Sequence, residues 1–472
     1  MLERLSMLDA SLLHIESPTT PMHTGGLGVF AAGLSFADVL ETLRQRLDEI
    51  PQARQRLQEV PLGAGRPVWV DDAHFDLSYH VRHAALPPPG DEAALAEVVS
   101  RLFSRPLDRS RPLWELYVIE GLEGGRTALF RKVHLVMVGG DEGDPFSVLL
   151  DETQDGREPR LGPRWEPREA PSALRLTVDA GRERAAQLAD VGRGVRGLLG
   201  APGRIAGAAA GVVTSAAGVV ARVTRQAPPS PLNIRLSAHR RLAIADIDLA
   251  ALRQVRRAFG GTINDVVVAV TGDAVGRLLR WRGYDTKDLD LRVMVPVRVH
   301  GADEVPDVTP GMGGTQTIGG GVVGVIAPLP VMQMDPVARL YRIMGEMAGL
   351  KESRQAVAAD TLMRLAGFAP PNLHALAARL ASGQQRYNLA LSNAPGPQEP
   401  RYVHGVAMES SYPFIPLAGD CALSVALNSY AGRMYVGMVG DWDGMGDLDA
   451  LGEFLTESVA DLVDAAADHG GA

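Results

Sequence analysis

Two short runs of β-forming residues constrain this chain most. Trp114–Ile119 and Thr127–Val133 flank the sequence Glu120-Gly121-Leu122-Glu123-Gly124-Gly125. Branched and aromatic residues around a glycine-rich turn predict a strand–turn–strand unit. The second run passes into Lys132-Val133-His134 and then into a bend, Gly139-Gly140-Asp141-Glu142-Gly143. A short helix is predicted from Pro145 to Leu150, with Asp144 as its N-cap and Pro145 in its first position. A histidine where a buried strand meets a glycine turn is a common place for acid–base chemistry, because the scaffold holds the ring while the turn admits substrate.

The rest of the chain alternates strands with helices, which predicts α/β layers rather than a bundle. A strand over Gly26–Phe30 precedes a helix from Ser35 to Glu49, capped by Ser35 and stopped by Pro51. Pro67–Val70 and His74–Val81 read as strand pieces, and Glu92–Phe103 as an amphipathic helix, apolar at Leu95, Val98, Val99 and Leu102. After a charged, proline-bearing stretch, Ser172–Leu199 reads as a helix rich in arginine, followed by an uncharged Gly/Ala/Val piece over Ile205–Ala221. The pattern then restarts with a strand over Arg241–Ile247 and helices over Leu249–Phe259 and Thr262–Arg282. A strand over Leu291–Val295, closed by Pro296, follows, and then a glycine-rich stretch over Gly311–Gly324. Helices are predicted over Asp335–Lys351, Asp360–Leu365, Asn372–Ala381 and Asp447–Ala465. Strands are predicted over Asn388–Leu391, Leu423–Ser429 and Met434–Val439, with a turn at Ser392–Pro397.

A length of 472 residues exceeds what one core usually supports, so two domains are expected. The divisions fall at 1–153 and 231–472, with 154–230 as the connection. The formal charge, 47 − 56 = −9, argues against nucleic acid as the main partner. Cys421 is the only cysteine, which rules out an intrachain disulfide and fits a reducing compartment. The opening residues carry acids and no long apolar core, unlike a signal peptide, and no run is long enough to span a bilayer. A cytoplasmic location is therefore expected. The arginines flanking Ile205–Ala221 suit either a helix packed in the domain connection or an interfacial contact with a membrane.

Arg111-Pro112-Leu113-Trp114-Glu115, the Ile119-Glu120-Gly121-Leu122 turn and Lys132-Val133-His134 resemble the bacterial wax ester synthase/diacylglycerol acyltransferase family. So do Thr262–Asp265, Leu291–Val297, Ser392–Pro397 and Asn428–Gly432, which extends the resemblance over nearly the whole chain. The resemblance implies two domains related to chloramphenicol acetyltransferase, joined by a long, partly helical connection. It also implies a channel between them in which acyl-CoA meets a lipid alcohol or diacylglycerol. No cofactor beyond acyl-CoA as substrate or ligand is implied, and no metal-ligand cluster stands out. Contact with the inner face of the cell membrane or with lipid droplets is a further expectation.

The family's motif is His-His-x-x-x-Asp-Gly, whose second histidine is taken as the general base. On that motif His134 matches the first histidine, Leu135 occupies the base position, Gly139 replaces the aspartate, and Gly140 keeps the glycine. His134 is thus either a structural ring or a displaced catalytic one. Neighbouring side chains of an extended backbone point to opposite faces, so His134 cannot simply replace a base at 135. By resemblance Leu135, Gly139, Gly140, Asn264, Asp265 and Gly320 border the channel; Asn264-Asp265 reads first as a helix-capping signal. Trp114 and Glu115 read as architecture, with Arg109 or Arg111 as the acid's partner, and Cys421 as a buried thiol. The expected activity is acyl-CoA-dependent O-acyl transfer giving triacylglycerol or wax ester, weak or absent if nothing replaces the base. The alternative is a non-catalytic acyl-CoA- or lipid-binding protein of the same fold.

Overall fold

The computed structural model describes residues 3–138, 144–156, 165–183, 185, 226–298, 322–352 and 385–470. Its strands form two six-stranded sheets and a small ribbon. In the first sheet the order is β11 (Tyr402–Val403), β12 (Val406–Phe414), β1 (His23–Phe30), β6 (Thr127–His134), β5 (Trp114–Glu120), β4 (Val81–Ala85). In the second it is β7 (Arg240–Asp248), β14 (Arg433–Asp441), β13 (Leu423–Tyr430), β10 (Leu389–Pro395), β8 (Asp290–Arg298), β9 (Val322–Pro330). The ribbon pairs β2 (Gln55–Gln58) with β3 (Val68–Asp71).

The two halves of the sequence are not two separate sheets. Strands β11 and β12, from the last fifth of the chain, lie on the first sheet, with β12 antiparallel to β1. The crossing was not legible in the sequence, because Val406–Phe414 mixes serines, an acid and a proline and shows little apolar alternation. One continuous apolar core accordingly takes Phe30, Phe103 and Phe130 from the first half and Met408, Phe414 and Tyr430 from the second. Helix α4 (Glu92–Ser104) packs on β7 and ties the sheets by hydrogen bonds. Ser100 Oγ accepts from the Leu242 N–H at 2.9 Å, and Ser104 Oγ from the Arg240 N–H at 2.8 Å. Arg240 is itself buried and donates to the carbonyls of Ser237, His239 and Thr19.

A second core surrounds helix α7 (Ile263–Trp281), packed between strands β9 and β10 and the helices α8 (Pro336–Glu352) and α9 (Leu448–Gly470). The helix is buried along most of its length, which matches its apolar residues on every side. Helix α6 (Leu249–Phe259) is capped by Asp248, whose side chain accepts from the Ala250 N–H at 2.8 Å. Helices α1 (Met7–Ile15) and α2 (Phe36–Arg46) complete the first half, α2 opening on a capping box between Ser35 and Asp38. Residues 173–183 are helical, α5.

Four expectations are corrected. Residues 74–81 are not a strand piece: Asp76 accepts from the Ser78 N–H at 2.9 Å and opens a one-turn helix, α3 (Leu77–His80), before β4. Helix α2 ends at Arg46 and gives way to a 3-10 turn over Leu47–Glu49. Pro296 does not close its strand, because β8 runs on to Arg298. Among the described residues β8 pairs with β10 only at Val293 and Met294, so beyond them β9 is its one neighbour there, and such an edge tolerates a proline. Ser392–Pro395 is strand rather than turn, held by parallel pairing to β13 as far as Ser429. The predicted segments at 205–221, 360–365 and 372–381, with Gly139, Gly140 and Gly320, lie outside the described residues.

Candidate functional site

Antiparallel register decides which way each residue of β6 faces. His134 is paired with His23 and Lys132 with Gly25, whereas Arg131 is paired with Gly26. Paired residues share a face of the sheet, so His134 and Lys132 stand on one side and Arg131 on the other.

The His134 side is closed. Lys132 is fully buried and spends its three donors on the Leu102 carbonyl at 3.2 Å, the Arg105 carbonyl at 2.8 Å and Glu115 at 2.8 Å. Two of these acceptors lie at the C-terminal end of α4, where a cation also suits the helix dipole. Glu115 and Lys132 are direct cross-strand partners on β5 and β6, which explains the pairing and corrects the expectation of Arg109 or Arg111. The Tyr117 hydroxyl donates to Glu115 at 2.8 Å, and Arg82 lies 3.4 Å away. Arg109 instead reaches Glu59 at 3.5 Å, and Arg111 reaches Asp108 at 3.6 Å. Burial pushes the Lys132 ammonium below its ordinary value, with Glu115 opposing.

His134 is fully buried at the end of its strand. Its Nδ1 accepts from the Val136 N–H at 3.1 Å, which leaves Nε2 to carry a proton toward Glu16 Oε1 at 3.5 Å. Burial pushes Glu16 up, but the bonding and charge of His134, with the Met22 N–H and Arg109, bring it below the ordinary carboxylate value. Burial and then the Lys132 charge hold the neighbouring His23 well below the usual histidine range; its Nε2 bonds the Phe103 carbonyl at 2.7 Å. The strand ends at His134, and Leu135 enters a 3-10 turn over Leu135–Met137, so the two-face alternation stops there. Leu135 is buried in the first core, its N–H bonded to the Met22 carbonyl at 2.9 Å. Trp114, also buried, stacks on His80 at 4.6 Å and donates through Nε1 to the Ala53 carbonyl at 2.8 Å.

On the Arg131 side lies a cleft of about 910 Å³. Strands β10, β12 and β13 line it on one side and the segment 144–153 on another. Gly26 makes room for Arg131, since a Cβ there would overlap the guanidinium. Arg131 is ion-paired with Asp144, Arg401 with Glu152 at 3.0 Å, and Asn428 Nδ2 donates to Ser411 Oγ at 3.2 Å. Met408, Ile415 and Leu427 supply apolar wall. Such mixed lining suits an amphiphilic ligand, with an apolar tail and a polar head. Among the described residues that border the cleft there is no histidine, and His134, Leu135, Asn264 and Asp265 are not among them.

Asn264 and Asp265 open α7. Thr262 and Asp265 form a full capping box, the Asp265 N–H reaching Thr262 Oγ1 at 3.2 Å and the Thr262 N–H reaching Asp265 Oδ2 at 2.8 Å. Asn264, buried, accepts at 3.5 Å from Asn393 of β10, the residue after the cleft-lining Ser392. The structure thus brings Thr262–Asp265 to Ser392–Pro397, while His134 accepts from the Val136 N–H and lies 3.5 Å from Glu16. Cys421 is buried, which pushes its thiol up, and it donates to the Tyr387 carbonyl at 3.2 Å. Among the described residues no group of side chains could hold a metal ion.

Comparison with known proteins decides the ancestry. The description "Wax ester synthase/diacylglycerol acyltransferase catalytic domain" matches residues 5–267, and "WS/DGAT C-terminal domain" matches 318–462. The chain belongs to the wax ester synthase/diacylglycerol acyltransferase family. A Mycobacterium tuberculosis protein named a probable diacylglycerol O-acyltransferase is 32% identical, over 98% of this chain and 96% of its own. Another of that name and species is 43% identical over 54% of this chain and 96% of its own. The wax ester synthase/diacylglycerol acyltransferase structure from Marinobacter aquaeolei superimposes with a TM-score of 0.67 at 27% identity, covering 98% of this chain and 100% of that one. The first condensation domain of the calcium-dependent antibiotic synthetase, 18% identical, shares the fold with a TM-score of 0.60 over 99% of this chain and 97% of its own.

Within this family member, sequence reasoning matched Ser392–Pro397 and Asn428–Gly432 to family segments without placing them at a site, and it missed Arg131, Ser411 and Arg401 as cleft residues. The available signal for Arg131 was an arginine in an apolar strand, and its glycine partner could be placed only once β1 was paired with β6.

Proposed function

We propose that this chain transfers a fatty acyl group from acyl-CoA to a lipid hydroxyl, a diacylglycerol or a long-chain alcohol, with both substrates entering the cleft beside Arg131. The observation that carries the reading is that cleft: about 910 Å³, walled by family-like segments, in a chain related to named acyltransferases along nearly its whole length. The alcohol oxygen attacks the thioester carbonyl, a tetrahedral oxyanion forms, and the CoA thiolate leaves and takes up the proton the alcohol gives away. Leu135 offers no base, so rate enhancement rests on holding the two substrates together, which alone is a large effect. Turnover of radiolabelled acyl-CoA by purified protein, against alcohols, diacylglycerols, amines and thiols, tests the reading. A labelled ester supports it; none from any acceptor rejects it.

A second reading is favoured by one observation, the burial of His134 and Leu135 away from the cleft lining. On that reading the protein binds acyl-CoA or lipid without turning it over, and calorimetry shows acyl-CoA binding where the radiolabel shows no ester. For location, we propose reversible binding of Arg175–Arg225 to anionic bilayers, supported by its arginines around a small apolar piece. Liposome flotation that is equal with and without anionic lipid would remove that proposal. No described helix is long and apolar enough to cross a membrane.

A further inference from the structure

The wall of the cleft formed by residues 144–153 is pinned to the body at three places by arginine–carboxylate pairs, and each pin has a different exposure. The deepest is Arg46–Asp151, bidentate at 2.7 and 2.8 Å, with the acid 1% exposed. Arg46 also donates to the Val148 and Leu149 carbonyls, at 3.0 and 2.9 Å. Asp151 bonds Tyr402 through both backbone groups, at 2.7 and 3.0 Å, which carries the wall onto β11. The outermost pin is Arg401–Glu152, whose acid is 82% exposed. Between them in exposure stands Arg131–Asp144, the only one of the three in which the acid is buried and both partners border the cleft.

We propose that Asp144 is a positioning residue for the ligand of this cleft, a role that rests on the acyl-CoA reading above. Its two carboxylate oxygens do separate jobs. Oδ1 accepts from the Phe146 N–H at 3.0 Å and starts the 3-10 helix Pro145–Leu149, while Oδ2 is paired with Arg131. One side chain therefore fixes where the wall begins relative to β6, and at the same time aims the Arg131 guanidinium across Gly26. Gly139 carries no carboxylate, and Asp144 is the first carboxylate beyond the bend that the described residues include. Two substrates that must meet without a nearby base depend on the position of such a wall, because small displacements of bound reactants cost large factors in rate. A structural pin such as Asp151 does not border the cleft and has no such link to the ligand.

The test compares Asp144→Asn, Asp144→Glu and Asp151→Asn with the natural protein. It measures melting temperature, calorimetric binding of palmitoyl-CoA, and kcat and KM for ester formation. Asp144→Asn is expected to keep the melting temperature within a few degrees, to weaken palmitoyl-CoA at least about fivefold or to lower kcat at least about tenfold, and to be partly rescued by Glu. Asp151→Asn is expected to lower the melting temperature without a selective loss per folded molecule. Unchanged binding and turnover in folded Asp144→Asn would overturn the proposal, as would losses in Asp144→Asn that merely track its melting temperature. Binding without turnover in the natural protein rejects the transferase reading alone, and the palmitoyl-CoA affinities then decide for or against Asp144. Neither binding nor turnover in the natural protein rejects both.

Discussion

The two faces of strand β6 hold their charges in opposite ways. On one face Lys132 and His134 are sealed from solvent and committed to partners within the fold, the α4 carbonyls, Glu115, Val136 and Glu16. On the other face Arg131 is 28% exposed, lies over a glycine and borders a cleft. Sealed charges committed to buried partners maintain architecture, and removing one partner costs far more than the pair contributes. A charge beside open space keeps part of its interaction for a ligand. The difference teaches that in this chain the motif histidine and the cleft lie on different sides of the same strand.

The largest predicted effect breaks the sealed face. Lys132→Met leaves Glu115 buried without its ammonium and two α4 carbonyls unbonded, and is expected to destabilise by about 3–5 kcal/mol in denaturant titration. Adding Glu115→Gln is expected to return part of that loss. A change below about 1 kcal/mol would show that the pair is not a closed unit.

The next effect uses pH. His23 and His80 are both held below the ordinary histidine value of 6.5, in each case mainly by burial. They stay neutral in the fold while the unfolded chain takes up protons, so the stabilisation is complete above pH 6.5 and is lost as pH falls below it. Each ring contributes a slope of up to about 1.4 kcal/mol per pH unit. Denaturation curves between pH 7.5 and about 5.5 should show the decline, and His23→Gln should remove one ring's share. A flat profile in that interval contradicts the burial of these rings.

How much of this was legible in the sequence follows from the kind of interaction involved. Local signals read well: Ser35 and Asp144 cap their helices, and Asp265 completes a capping box with Thr262, all through short-range bonds that the sequence displays directly. The hairpin β5–β6 was visible for the same reason. What escaped was long-range. Strand β12 pairs with β1, nearly four hundred residues away, as the Thr24 to Phe414 hydrogen bond shows, spanning 390 positions. The partner of Glu115 was sought among nearby arginines, whereas register supplied Lys132. The face on which His134 lies likewise depends on its pairing with β1, which no spacing within Lys132–His134 reveals.

His134→Ala sharpens the comparison at moderate scale. It leaves the buried Val136 N–H without an acceptor, which is expected to cost about 1–3 kcal/mol of stability. A smaller change in free energy is expected when a base is supplied. Leu135→His with Gly139→Asp should leave ester synthesis within about twofold of the natural chain, because Leu135 is buried in the first core and does not border the cleft. A gain of about tenfold or more in folded protein would mean that the acceptor reaches position 135.

The claim that the two faces have separate tasks is tested most directly by measuring palmitoyl-CoA binding calorimetrically in His134→Ala and Asp144→Asn, side by side, at equal folded concentration. The account predicts an affinity within about twofold of the natural protein for His134→Ala and a loss of at least about fivefold for Asp144→Asn, since one ring is bonded into the body and the other carboxylate borders the cleft. Loss of binding in folded His134→Ala, with Asp144→Asn unaffected, would place the ligand on the sealed side and contradict it.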